Sequence, residues 1–352
     1  MPLPTVKSLA LSSNILTGYA LDIANESRDY ISDMIPPINK GDMVEMRDGA
    51  AFAGSIMRTK IASNFLDGTK ESNLQVEWGE ELPMFEGVQF DPLNWRAKKF
   101  GCQGKIPREF YLVSEARRTN NVRYCLGPVV EQVKQARELQ LLSVIKGWSN
   151  NTALTYDWTT ANGNPSKDIL AAVNQVAKYR DPDTVIMGFE AAAACIGNST
   201  WRAEMPTTMF RQGMPIDEMA EVIRSRIGVK NVLISRARYN SSTNGTPSIN
   251  GIMGDRCWVG RLDLVPSLQA EEGEAVNDLA PRTSYELRDG SVAQIGSDFA
   301  VTSAAFVRIV PEDLRVNAWY DDGDETVHFS CSCHQDVQVA YAELGYLITN
   351  CA

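Results

Sequence analysis

The chain reads as an α+β protein of more than one compact unit, with one extended segment that cannot fold by itself. Three observations carry this. An apolar stripe at helical spacing runs from Leu126 to Trp148, about six turns of amphipathic helix. Helices and short buried strands then alternate between Asn164 and Ile234, and the text beyond Gly251 is mostly strand and turn. Ahead of the long helix, residues 45–106 hold many turn formers and little helix signal. With 352 residues, 44% hydrophobic and 22% charged, the chain can bury a sizeable core, which excludes wholesale disorder.

In order, Leu16, Tyr19, Leu21, Ile23, Tyr30, Ile31 and Met34 mark short helical pieces that end at Pro36-Pro37, an arm without a core of its own. In the next region the turns Asp48-Gly49, Asp67-Gly68, Trp78-Gly79, Glu86-Gly87 and Asp91-Pro92 separate alternating runs such as Leu74-Gln75-Val76-Glu77-Trp78. A two-stranded hairpin is marginal in water, so this segment needs a surface to lie on. Its charges are segregated: residues 67–91 hold seven acids and one base, residues 95–123 eight bases and two acids. Two solvated faces would explain this. The alternative is that the acidic stretch of one subunit docks on the basic stretch of a neighbour. That reading selects Lys70, Glu71, Glu77, Glu80, Glu81, Arg96, Lys98, Lys99, Arg117 and Arg118 as inter-subunit contacts.

The long helix is expected over 126–147, with Pro128 in its first turn and Gly147 ending it. Leu126, Val129, Val130, Val133, Ala136, Leu141, Val144, Ile145 and Trp148 form its apolar face, and Glu131, Lys134, Arg137 and Glu138 occupy other faces. After a polar loop, Asn164-Pro165 starts a helix with Ile169, Leu170, Val173 and Val176 inward. Thr184 to Gly188 is a short buried strand, Phe189 to Ile196 a small alanine-rich helix, and Ile216 to Ile227 an amphipathic helix closed by Gly228. Val232-Leu233-Ile234 is a second buried strand and Arg236 to Asn250 a polar loop. Arg288-Asp289-Gly290-Ser291 joins a hairpin. Residues 316–320, the acidic turn Asp321 to Glu325 and the run from Val327 make a final one.

No catalytic constellation emerges. The two histidines, His328 and His334, flank Cys331 and Cys333, but strand parity puts histidines and cysteines on opposite faces, against a tetrahedral metal site. Gly101-Cys102-Gln103-Gly104-Lys105-Ile106 is too short for a phosphate loop and lacks its hydroxyl. Asp321, Asp322, Asp324 and Glu325 lack the ligand register of a calcium loop. No cofactor or metal is expected. Seven irregularly spaced cysteines suit a reducing cytosol. A net charge of -10 repels nucleic acid, so DNA could be walled in by this chain but not condensed by it. No apolar run is long enough to span a bilayer, and no membrane partner is expected.

The order of these parts resembles the major capsid proteins of tailed bacteriophages, with the Hong Kong 97-type fold. Lys105-Ile106-Pro107-Arg108-Glu109-Phe110, leading into Val129-Val130-Glu131-Gln132-Val133 and Ala136-Arg137-Glu138, resembles the family's passage from extended loop to spine helix. Asp183 to Gly188 resembles a characteristic strand of the family, and Ile227 to Ile234 with Arg236 to Asn240 its next helix-to-strand step. The resemblance implies an N-terminal arm (1–44), an extended loop (45–106), a peripheral domain with the spine helix (107–164), an axial domain (165–305) and peripheral return strands (306–352). It implies a structural protein and not an enzyme, assembled in the host cytoplasm as pentamers and hexamers and ending in the virion capsid. The implied partners are further copies of itself, a scaffolding protein, a portal, a cement protein, and double-stranded DNA enclosed without sequence-specific binding. A scaffolding segment ahead of the arm, carried by many relatives, has no counterpart here, so the scaffold is expected to be separate. Some relatives crosslink a loop lysine to an asparagine; Lys70 and Asn350 could be cast in those roles, but such residues are commonplace there. The alternatives are an encapsulin-type nanocompartment shell and an α+β enzyme with an unrecognised site.

Overall fold

The structure is a computed structural model that describes residues 30–35, 37–39, 53–59, 90–107, 121–203, 214–242, 246–262, 284–286, 292–294, 301–302, 304–321 and 326–352. The chain begins with a helical turn α1 (Ile31–Met34) and strands β1 (Ile38–Asn39), β2 (Ala53–Thr59), β3 (Phe90–Arg96) and β4 (Lys98–Pro107). The long helix α2 (Asn121–Lys146) leads to β5 (Asn151–Ala153), α3 (Pro165–Ala177), β6 (Thr184–Gly188), α4 (Phe189–Gly197) and α5 (Ser199–Ala203). Next come α6 (Ile216–Ile227), β7 (Asn231–Ser235), β8 (Arg238–Asn240), β9 (Ile249–Gly251) and β10 (Cys257–Gly260). Last are β11 (Ser284–Glu286), β12 (Val292–Gln294), β13 (Val301–Thr302), β14 (Phe306–Asp321), β15 (Thr326–Val339) and β16 (Gly345–Thr349).

Two sheets organise the fold. The first has the order β1-β14-β15-β4, built on the long antiparallel hairpin of β14 and β15. Helix α2 lies on it, with Leu126, Val129, Val130 and Val133 packed against Leu314, Val316, Phe329 and Cys331. The second has the order β5-β16-β10-β6-β7, with Ile169, Ala172 and Val176 of α3 and Val222 and Ile223 of α6 in its core. Trp148, Trp258 and Phe306 join the two, packed edge to face with ring centroids 5.4 to 6.3 Å apart. A smaller sheet, β13-β2-β3, forms the stem of the extended segment. Among the described residues, no helix is long and apolar enough to cross a membrane.

Local signals behaved as their chemistry dictates. The Asn164 side chain accepts from the Lys167 N–H at 3.1 Å and Pro165 opens α3. Gly228 ends α6 at φ 79°, the left-handed conformation that glycine adopts at least cost. Strand β6 is buried along its whole length, and β11 and β12 pair across the expected hairpin.

Four expectations need correction. Helix α2 starts at Asn121, so Pro128 stands inside it and not in its first turn. The apolar contacts of Leu126, Val129 and Val130 carry the helix through the hydrogen bond that proline cannot make. Lys134, Arg137 and Glu138 are buried, because polar partners from distant segments meet them. Leu170, expected inward, is 46% exposed. Within the polar loop, β8 and β9 pair as a small hairpin. Strand β16 leaves the hairpin and inserts between β5 and β10.

Candidate assembly surfaces

Residues 30–35 are held by a buried polar clamp. Glu138 of α2, fully buried, accepts the N–H groups of Ile31 at 3.1 Å and Ser32 at 2.8 Å. These are first-turn donors with no partner inside α1, so the carboxylate caps it from outside. Lys134 Nζ pairs with Asp33 at 2.8 Å and sits 4.9 Å above the Tyr30 ring, while the Tyr30 hydroxyl donates to Glu131. From β14, Arg308 donates through Nη1 to the carbonyls of Ser32 and, at 2.9 Å, Ile35. Its Nε donates to Gln335 Oε1 at 3.0 Å, and Gln335 returns a bond to the Arg137 carbonyl at 3.1 Å. Arg137 pairs with Asp313 at 3.0 Å.

Burial tunes these groups. It pushes the Glu138 carboxyl above its ordinary range, against the pull of the two backbone N–H groups. It brings Arg308 down to about 10, with the neighbouring Arg137 charge adding to the effect. Burial and the Glu131 contact push the Tyr30 phenol up. Arg308 keeps its charge at neutral pH.

The second surface is the loop stem. Arg96, Lys98 and Lys99 line a cleft of about 800 Å3 with Asn94, Gln140, Ser143 and the segment Asp336–Gln338. The three cations are exposed, and Asp336 is the one carboxylate among the lining residues. Trp95 anchors the corner beneath them, 3% exposed and packed on Val307 and Ile309. Asp336 fixes it by accepting the Arg96 backbone N–H at 2.9 Å. The structure thus brings three of the ten expected contact residues into one place. Lys70, Glu71, Glu77, Glu80, Glu81, Arg117 and Arg118 lie outside the described residues.

The clamp was missed by sequence reasoning, although a signal existed. Positions 134, 138, 141 and 145 follow one helical ridge, so Lys134 and Glu138 continue the row of Leu141 and Ile145. On β15, Cys331 and Cys333 point into the core while His328 and His334 face the other way, as parity requires. His328 stacks on Trp319 of β14, and His334 faces Glu312 at 3.0 Å.

No protein-family model matches the chain, and no curated protein matches its sequence. Solved structures do. A phage-related protein from Bordetella bronchiseptica RB50 superposes with a TM-score of 0.58 at 16% identity, over 96% of each chain. A virus-like particle from Pyrococcus furiosus gives 0.52 at 10% identity, over 95% of this chain and 97% of that one. The capsid of Myoviridae phage XM1 gives 0.50 at 10% identity, over 92% of each. Sheets, spine helix and loop stem together therefore identify the architecture: the chain has the α+β Hong Kong 97-like fold of phage capsid proteins.

Proposed function

We propose that this chain is the major capsid protein of a tailed bacteriophage. It acts as a structural subunit and not an enzyme, closing pentamers and hexamers into an icosahedral head around double-stranded DNA. The observation that carries this is the end-to-end likeness to a phage capsid and a virus-like particle, which leaves no large part of the chain for another task. The division into arm (1–44), extended loop (45–106), peripheral parts (107–164 and 306–352) and axial domain (165–305) follows the same reading.

Contacts between copies follow from the charge layout. The acidic stretch 67–91 of one subunit lies in the basic loop-stem cleft of its neighbour, against Arg96, Lys98 and Lys99. The overall charge of -10 makes the shell a wall around DNA, which explains enclosure without sequence-specific binding. A scaffolding protein, a portal and a cement protein complete the assembly, which forms in the host cytoplasm and ends in the virion.

Expression of the full chain with its scaffolding partner, followed by sedimentation and negative-stain microscopy, tests the proposal. Closed shells are expected; a small globular oligomer under all assembly conditions would overturn it. The shared shell fold leaves one second reading, an encapsulin-type compartment. Nuclease-protected DNA inside native particles decides for the phage head, and an enclosed protein cargo without DNA decides for the compartment.

A further inference from the structure

Strands β4 and β15 run antiparallel, and their register sets Cys102 directly opposite Cys331. Residues opposed in this way project to one face of the sheet with Cα atoms about 4.5–5.5 Å apart, inside the range of about 4.4–6.8 Å that disulfides span. Here that face lies under α2. Cys331 is fully buried against the helix, and Cys102 packs at the edge of the same cluster, its Sγ 3.0 Å from Gln132 Oε1. Among the other thiols, Cys125 packs on the same cluster from α2, but no strand register sets it opposite Cys102. Cys333 is opposite Phe100, and as a neighbour of Cys331 two places along one strand its side chain runs parallel to it. Cys195, Cys257 and Cys351 belong to the core of the second sheet. All seven cysteines are free thiols in the structure.

We propose that Cys102 and Cys331 form a latent cross-strand disulfide, closed within one subunit by a small disulfide such as oxidised glutathione once the protein leaves a reducing compartment. The bond would tie the stem of the extended loop to the β14–β15 hairpin at a point where pairing is already made. It does not depend on the shell reading, because both sulfurs belong to one chain.

The order of events follows from burial. Cys102 is the half-buried thiol, whereas burial pushes Cys331 up to about 12, which suppresses its thiolate. The Cys102 thiolate therefore attacks oxidised glutathione first, forming a mixed disulfide and releasing one glutathione thiolate. Cys331 then loses its proton and attacks the Cys102 sulfur, expelling the second. Two protein thiols are oxidised, and one glutathione disulfide is reduced to two thiols.

The test uses the intact protein, incubated with oxidised glutathione, blocked with an alkylating agent and digested with trypsin without reduction. Cleavage isolates Cys102 in the peptide Phe100–Lys105 and leaves Cys331 in Val316–Ala352 together with Cys333 and Cys351. A crosslink between these peptides is expected, with fragmentation placing it on Cys331 and not on Cys333 or Cys351, and non-reducing electrophoresis showing single chains. Denatured protein should lose two titratable thiols. Cys102→Ser, a substitution at the partly exposed partner, should abolish the crosslink and leave Cys331 reduced. A glutathione adduct that persists on Cys102, a bridge from Cys102 to Cys125 or Cys333, or a disulfide-linked dimer would each overturn the proposal.

Discussion

Replacing Arg308 with methionine tests whether the clamp holds the arm. The substitution keeps much of the side-chain length and removes every donor. Three acceptors lose a partner: the Ser32 and Ile35 carbonyls and Gln335 Oε1, although Gln335 retains a longer contact of 3.4 Å from Arg137. Glu138 also loses a nearby compensating cation. Removing one member of a buried ionic network costs about 3–5 kcal/mol. The lower end applies here, because Lys134 still pairs with Asp33 and Glu138 still caps α1. About 3 kcal/mol corresponds to a roughly hundredfold larger opening constant for residues 30–35. Hydrogen exchange by mass spectrometry on unassembled subunits reads this directly, with β6 as the internal reference. Unchanged exchange at residues 31–35 would refute the clamp, and equal acceleration in β6 would show that Arg308 supports the whole core and not the arm.

Three further outcomes follow. Burial raises the Glu138 carboxyl above its ordinary 4.5, so the folded chain binds that proton at higher pH than the unfolded one. Its contribution to stability is full below 4.5 and lost as pH rises through the folded value. Wild type should thus gain on Glu138→Gln between pH 7 and pH 5 in denaturant melts, and a gap that grows toward pH 7 would contradict this. Reversing Glu77, Glu80 and Glu81 to lysine should cut assembly yield, and adding Glu at 96, 98 and 99 should restore part of it, as measured by sedimentation. A β-carbon at Gly188 would fall 1.8 Å from the Gly254 carbonyl oxygen, a backbone atom that cannot swing aside. Gly188→Ala should therefore cost more than about 3 kcal/mol, read as loss of soluble protein or a large fall in melting temperature.

Much of the fold was legible because its signals are local. Asn164 before Pro165, and Gly228 after Ile227, set helix ends through bonds or dihedrals within a few residues of themselves. The alternation on β15 told which of His328, Cys331, Cys333 and His334 face the core, since a strand's period does not depend on what lies beneath it. The acidic block 67–91 and the basic block 95–123 were likewise plain in the text, and three residues of the second, Arg96, Lys98 and Lys99, line one cleft.

The sequence alone thus determined that α2, α3 and α6 are helices, that β6 and β7 are buried strands, and most of the face that each turns inward. Only the tertiary structure decided what meets those faces. Lys134 and Glu138 are buried because Asp33 and the Ile31 and Ser32 amides arrive from far upstream, and Arg308 because Ser32 and Ile35 do. Strand β16 lies between β5 and β10, neither of which adjoins it in the chain. Periodicity is a property of a few neighbouring residues, whereas the cost of burying a charge depends on partners that only chain closure brings within a hydrogen bond's reach.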